Sequence, residues 1–291
     1  MEFPRRITIV GAGLIGASIG QGLLARGLVD SVVGLGRSRE NLEAALQKRC
    51  ITQIADSLED AVRDVDLVVV CTPVSVIAEQ IWQATEYARE GTVFTDAGST
   101  KVSLAAGLER LPNGCFFVGG HPIAGKETSG AGAADGNLFV GRTTILTPVN
   151  SSTQSQPRYS AGFQQAVEMV RQMWLALGAN VVEMTPEEHD AMLARTSHLP
   201  HLLAVALSAT MGTKANRPFA GTGFQSMTRL AAGRPEVWRD ILIDNRANVL
   251  EALGVYKEQL DRLYQMLSDS DAADLEATLL LAKKNRDALG N

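Results

Sequence analysis

Residues 6–20 read RITIVGAGLIGASIG. An apolar, β-branched run leads directly into Gly11, Gly13 and Gly16, spaced G-x-G-x-x-G, and a helical pattern starts at once. Such glycines permit a tight turn and let the backbone come close to a pyrophosphate. The helix that follows offers its unpaired N–H groups, from Leu14 and Ile15 onward, and the positive end of its dipole to an anion. Glycine trios are common in turns. A trio placed between a strand and a helix points to a dinucleotide site. The arginines before the apolar run also suggest a secretory signal, but no small-residue cleavage site follows, and the glycine spacing accounts for the segment better.

Working outward, residues 6–147 alternate. The β-rich runs are RITIVG, SVVGLG, DLVVVCT, TVFTDA, CFFVGG and TTILTP, and the predicted helices include 15–26, 41–48, 74–87 and 101–108. Apolar strands alternating with helices predict a doubly wound, mostly parallel α/β sheet of Rossmann type. Residues 150–160, NSSTQSQPRYS, are polar and turn-forming, so a surface loop is expected. A helix over 161–177 and a strand NVVEM close this unit. TPEEHD then carries a capping-box signature: Thr185 at the cap, Pro186 next and Glu188 three after the cap. Only helices are expected beyond it. The expected division is 1–184, a dinucleotide-binding domain, and 185–291, an all-α dimerisation and substrate domain.

The second strand ends VVGLGRSRE. An NAD site usually has an acidic residue here for the ribose 2′-hydroxyl. Gly36 stands in its place, followed by Arg37, Ser38 and Arg39, which offer donors to a 2′-phosphate. NADP is therefore expected, with NAD as the second choice; a solvated helix start is the competing reading. Thr72 and Pro73 follow the DLVVVC strand, and Ser99 follows the TVFTDA strand, at the carboxyl ends where open α/β sheets bind ligands. Ser99 is a candidate hydroxyl near the nicotinamide, a helix N-cap, or both. His121, in GGHPIAGKETSG (119–130), ends a later strand of the same sheet and should face the same crevice, where it could move a proton during hydride transfer.

The chain has 291 residues, a net charge of -5 and an apolar fraction of 45%. It carries no basic stripe, so nucleic acid is not an expected partner. Its three cysteines are widely spaced and suit a reducing compartment, taken as the cytoplasm. No run is long enough for a membrane span.

GAGLIGAS, CTPV, DAGSTK, GGHPIAGKETSG, SHLPH and GTGFQSMTRLAAGRPEVWRDI occur in one order from residue 7 to about 245. In these the chain resembles the prephenate/arogenate dehydrogenase family of tyrosine synthesis. The resemblance implies oxidative decarboxylation with hydride transfer to NAD(P)⁺, giving 4-hydroxyphenylpyruvate or tyrosine. It implies that His121 takes the proton of the ring 4-hydroxyl and that Ser99 bonds that hydroxyl or orients the imidazole. Below the usual histidine pKa near 6.5, activity should fall. Arg229 matches an arginine that binds the side-chain carboxylate across a dimer interface, so a homodimer is implied. His201 matches a histidine near the substrate, with His198 three residues earlier; a zinc pair from the two is a weaker reading, since no third ligand is evident. Glu127 matches a gating position, against an ion pair with Lys126. Trp238 also matches, against a core indole. Ser226 stands where several relatives carry Asp, which puts an ionic link there in doubt. His189, in an acidic first turn, reads as a solvated residue.

The alternatives are a β-hydroxyacid-type dehydrogenase of the same architecture and a non-catalytic dinucleotide-binding module. The first lacks its expected lysine in EEHDAMLARTSHLPH. The second has no use for His121, Ser99 and Arg229.

Overall fold

A computed structural model describes residues 3–126, 128–148, 160–212 and 214–290, with backbone only for 214–216. The 150–159 stretch, where most of the expected surface loop falls, and Glu127 lie outside the described residues.

Eight strands form one sheet: β1 (Arg6–Val10), β2 (Ser31–Leu35), β3 (Gln53–Ile54), β4 (Leu67–Val70), β5 (Val93–Asp96), β6 (Phe116–Pro122), β7 (Thr143–Thr147) and β8 (Asn180–Glu183). Their order is β3-β2-β1-β4-β5-β6-β7-β8. Every neighbouring pair is parallel except β6 and β7. The chain leaves β1 toward β2 and later returns to β4 on its other side. The sheet therefore has its switch point at the carboxyl ends of β1 and β4, where a crevice opens.

Alternating side chains divide between two cores. Ile7, Ile9, Leu67 and Val69 pack against α1 (Leu14–Ala25), α2 (Arg39–Gln47) and α6 (Ala161–Ala176). Val10, Val68, Val70 and Phe94 pack against α3 (Leu58–Val62), α4 (Val74–Thr85) and α5 (Val102–Leu108). Each fully buried aliphatic side chain contributes about 1.5–3 kcal/mol. β3 and α3 are the elements that the sequence pattern does not reveal. At two and five residues, neither is long enough to show a period.

After β8 the described chain is helical. Thr185 Oγ1 accepts the Glu188 N–H at 3.1 Å and Glu188 Oε2 accepts the Thr185 N–H at 2.8 Å, so the expected capping box starts α7 (Pro186–Leu193). One turn of π helix, Ala194–His198, leads into α8 (Leu199–Ala209), the Leu199 N–H reaching the Ala194 carbonyl. Pro200 has no N–H to continue the α pattern at this point, and π turns of this kind recur at functional sites. The remaining helices are α9 (Thr222–Thr228), α10 (Pro235–Asp244), α11 (Arg246–Ser268) and α12 (Ala272–Ala288). A small core of Ala194, Leu199, Val249 and Ala252 joins α11 to the α7–α8 path. Among the described residues no helix is long and apolar enough to cross a membrane.

Candidate active site

The glycine loop occupies the switch point. Gly11 has φ +93°, and a Cβ on it would lie 2.8 Å from the Cys71 carbonyl oxygen, so only glycine fits the turn there. A Cβ on Gly16 would fall 2.4 Å from the Gly11 oxygen. Gly13 differs: nothing lies within 4 Å of the Cβ it lacks. Leu14 and Ile15 open α1, which has no side-chain cap and no acidic residue in its first turn. The first N–H spent inside the helix is that of Ala17, on the Gly13 carbonyl at 2.9 Å. Open space over Gly13 beside unspent N–H groups fits a dinucleotide pyrophosphate.

Thr72 and Pro73 border this loop; Thr72 Oγ1 donates to Gln80 at 2.6 Å, and Pro73 precedes α4. Asn41 ties the loop to the segment beyond His121, donating to the Ala12 carbonyl at 2.6 Å and accepting the Ala131 N–H at 2.8 Å. The three residues expected to hold a 2′-phosphate differ in their commitments. Ser38 Oγ accepts the Asn41 N–H as the α2 cap, and Arg39 pairs with Glu43 at 3.1 Å and Asp56 at 3.2 Å. Arg37 is exposed just after β2 and enters no ion pair among the described residues.

His121 sits half-buried near the end of β6. The backbone beneath it is braced by a buried ion pair: Lys101 Nζ lies 2.7 Å from Asp96, whose other oxygen accepts the Gly120 N–H at 3.0 Å. Lys101 also donates to the Gly98 and Thr100 carbonyls, so the pair is satisfied on both sides, as burial demands.

His189 corrects the sequence reading. It is fully buried, not solvated, and its Nε2 shares a 2.8 Å hydrogen bond with His121 Nδ1. Its Nδ1 lies 2.7 Å from Asp190 Oδ1. Asp190 in turn accepts the Lys101 N–H at 2.9 Å and the Val102 N–H at 3.0 Å. This carboxylate caps α5 from 89 residues away, so Ser99 is not the α5 cap; Ser99 stays half-buried in the loop after β5. Asn245 donates to the Asp190 carbonyl at 2.7 Å and meets His198 Nδ1 at 3.1 Å.

Burial chiefly, then the Lys101 charge and the two neighbouring imidazoles, hold His121 well below the usual histidine pKa. With His121 as the base, a fall in activity would come at lower pH than 6.5. Burial lowers His189 as well, against the opposing pull of Asp190. Burial would raise the Asp190 carboxyl, but hydrogen bonds from His189, Val102 and Lys101 win and hold it low.

His201 is buried and stacks on Trp238, centroids 3.6 Å apart and planes within 8°. His198 meets the same indole edge-on at 6.3 Å. Trp238 is only half-buried, a wall for two histidines and not a core indole. No group of three metal-ligating side chains occurs among the described residues. Arg229 is exposed at the end of α9, in the turn Arg229–Ala232 that packs on α8. Lys126, the expected partner of Glu127, pairs with Asp135 at 3.0 Å.

Sequence reasoning missed His189, Asp190 and Asn245. One signal was available: Pro186, His189 and Leu193 are spaced three and four apart, the buried stripe of an amphipathic helix.

The family model described as "Prephenate dehydrogenase, nucleotide-binding domain" matches residues 19–183, and "Prephenate dehydrogenase, dimerization domain" matches 185–281. The chain is 33% identical to the prephenate dehydrogenase of Bacillus subtilis, over 97% of its own length and 76% of that protein's. It superposes on the prephenate dehydrogenase of A. aeolicus, solved with hydroxyphenyl propionate and NAD⁺, with TM-score 0.88 and 31% identity, covering 98% of each chain. The Synechocystis arogenate dehydrogenase gives TM-score 0.79 and 28% identity, over 98% of this chain and 99% of that one.

Proposed function

The chain belongs to the prephenate dehydrogenase family, and from that premise we propose that it oxidatively decarboxylates prephenate or arogenate with a nicotinamide dinucleotide. The observation that carries this reading is His121, set near the carboxyl end of β6 in a chain of hydrogen bonds and held uncharged. A general base must be neutral to accept a proton.

The glycine loop and the first turn of α1 hold the pyrophosphate, flanked by Thr72 and Pro73. The oxidised nicotinamide, when bound, supplies the hydride acceptor. His121 accepts the proton of the substrate's 4-hydroxyl as the C4 hydrogen leaves with its electron pair, and the hydroxyl oxygen becomes a carbonyl. The ring carboxylate then departs as carbon dioxide. Its bonding pair aromatises the ring, and His121 returns the proton to the phenolate oxygen. Ser99 bonds the 4-hydroxyl. Arg229 binds the side-chain carboxylate, and a guanidinium suits that bidentately. His201 and His198 line the substrate side together with Trp238. Glu127 has the gating role that the family resemblance implies.

NADP is the preferred dinucleotide on this reading. Gly36 removes the carboxylate that would repel a 2′-phosphate, and Arg37 is the cation at hand; Arg39 would have to leave Glu43 and Asp56 to help. The division between nucleotide and helical units falls at Met184 and Thr185. The helical unit pairs with a second copy of the chain, which brings Arg229 across the interface.

The test is absorbance at 340 nm with prephenate and arogenate each crossed with NAD and NADP, on the native chain and on His121→Asn. Reduction by the native chain, with the lower KM for NADP and a loss of at least ~100-fold in kcat for the variant, is the expected result. Turnover that survives His121→Asn would remove the assigned base.

A further inference from the structure

We propose that His189 and Asp190 are positioning residues that lock the His121 imidazole with its proton on Nδ1, leaving Nε2 as the basic nitrogen of that ring. The proposal deepens the reading of His121 as the base and rests on it for its catalytic part.

An ionised carboxylate only accepts hydrogen bonds. Asp190 Oδ1 and Oδ2 take the N–H groups of Lys101 and Val102 at the start of α5, where the helix dipole also favours negative charge. The contact from His189 Nδ1 at 2.7 Å must then be a donation. A neutral imidazole with its proton on Nδ1 has a lone pair on Nε2. That nitrogen stands 2.8 Å from His121 Nδ1, so His121 must donate there. Its own Nε2 is left with a lone pair. His121 Nε2 takes no hydrogen bond from the described residues, and it is not among the sealed, unpartnered atoms, as His198 Nε2 and His201 Nδ1 are. The bare nitrogen is thus the one open to a substrate.

Other charged and titratable groups around the pair agree with this assignment. Lys101 and His198 both disfavour a positive charge on His121. Asp96 and Asp190 favour charge on His189. When Nε2 accepts the substrate proton, the new cation is spread along a chain that ends on a carboxylate already fixed by a helix. A histidine whose tautomer is set by a second residue is the arrangement used by hydrolytic triads, where loss of the orienting carboxylate costs orders of magnitude in turnover.

The experiment reads the ring nitrogens directly. The chain has four histidines, so the 15N shifts of its imidazoles can be assigned one variant at a time. At neutral pH, without substrate, His121 should show a protonated Nδ1 and a bare Nε2; the reverse would overturn the proposal. Asp190→Asn can turn its amide toward His189, reverse both tautomers and place the His121 proton on Nε2. Its kcat should fall at least ~100-fold with dinucleotide affinity unchanged, and an unchanged kcat would overturn the proposal. Because Asp190 also caps α5, a second pair guards against misfolding. His189→Gln keeps an acceptor and a donor and should retain more turnover than His189→Leu at equal cofactor affinity; equal losses in the two would overturn the role. The shift measurement needs no substrate, so it stands even if the proposed reaction fails.

Discussion

Ile7, Ile9, Val68 and Phe94 in the sheet are wholly buried by helices of the same chain, whereas Leu267, Leu279, Leu280 and Leu281 on α11 and α12 are 59–65% exposed. The contrast extends to whole elements. α1 buries seven of its twelve residues; α12, with seventeen, buries none. The sheet closes its two cores within one copy of the chain. The α11–α12 hairpin does not, and each leucine left in water forgoes about 1.5–3 kcal/mol. The nucleotide half is therefore complete alone, while the helical half is a surface in search of a partner. The His121–His189–Asp190 chain spans the join, drawing one residue from β6 and two from α7. On the proposed function, chemistry at this site requires both halves to be in place.

The largest effect should come from the hairpin. Leu279, Leu280 and Leu281 are consecutive, so they cover about 200° of the helix and leave few orientations that spare all three. Replacing the three with Glu should convert a dimer to a monomer by sedimentation equilibrium. It should cut turnover ~100-fold while leaving dinucleotide binding in the sheet intact, because the Arg229 proposed to come from the second copy would be lost, and a hydrogen bond to a charged group contributes about that much. A triple variant that stays dimeric would break the comparison, since the exposed leucines would then lack the role assigned to them.

Acid should act next, at the join. All four histidines are held below their ordinary pKa, chiefly by burial, and His198 falls from 6.5 to about 4. Between those values the unfolded chain binds more protons than the folded one, so stability rises with pH there and is lost as pH falls below about 6.5. His198 alone contributes about 3 kcal/mol once pH is below its folded value. Urea midpoints measured from pH 7.5 to pH 5 should drop steadily. A flat profile would mean that the histidines take up protons equally in the folded and unfolded chain, and burial would not be lowering them.

This join is also where reading from sequence stops. Seven of the eight strands are legible, the central ones because a parallel sheet buried on both faces writes long apolar runs. The glycine loop and the Thr185 cap are legible because local geometry demands those residue types. His189 is read as solvated because Glu187 and Glu188 stand beside it, although its spacing from Pro186 and Leu193 places it on the buried stripe. The α5 cap is hidden. Ser99 is the nearest local candidate, but Asp190 supplies the acceptor from 89 residues away. Contacts across the join depend on how two units dock, which no local period encodes.

A milder change separates fold from binding inside the complete half. Gly13 has φ -76° and ψ -160°, values any residue adopts, and its missing Cβ faces open space. Gly13→Ala should leave thermal stability within about 0.5 kcal/mol, as for other substitutions that touch nothing. Dinucleotide affinity should nonetheless fall about tenfold, since the added methyl stands where the pyrophosphate passes. Unchanged affinity would move the cofactor away from this loop.

The smallest effect tests the seam itself. Ser103 Oγ, in α5, donates to Asp244 Oδ2 at the end of α10 across 2.8 Å, and Thr100 donates to the same oxygen. Ser75, in α4, makes a parallel bond to Asp240 at 2.7 Å. These three hydroxyls tie the sheet's helices to the helical half, and the Ser103 bond is exposed. Its net worth is about 0.5–1 kcal/mol, and Thr100 keeps Asp244 engaged when it is gone. Ser103→Ala should therefore lower the urea midpoint slightly and leave kcat unchanged. If kcat drops instead while the midpoint holds, the seam does more than join. The register of α10 against α5 would then set the geometry of the adjoining Lys101 and Val102 N–H groups, and through Asp190 the His121 ring. The two halves would be coupled through their hydroxyl bonds as well as through the buried histidines.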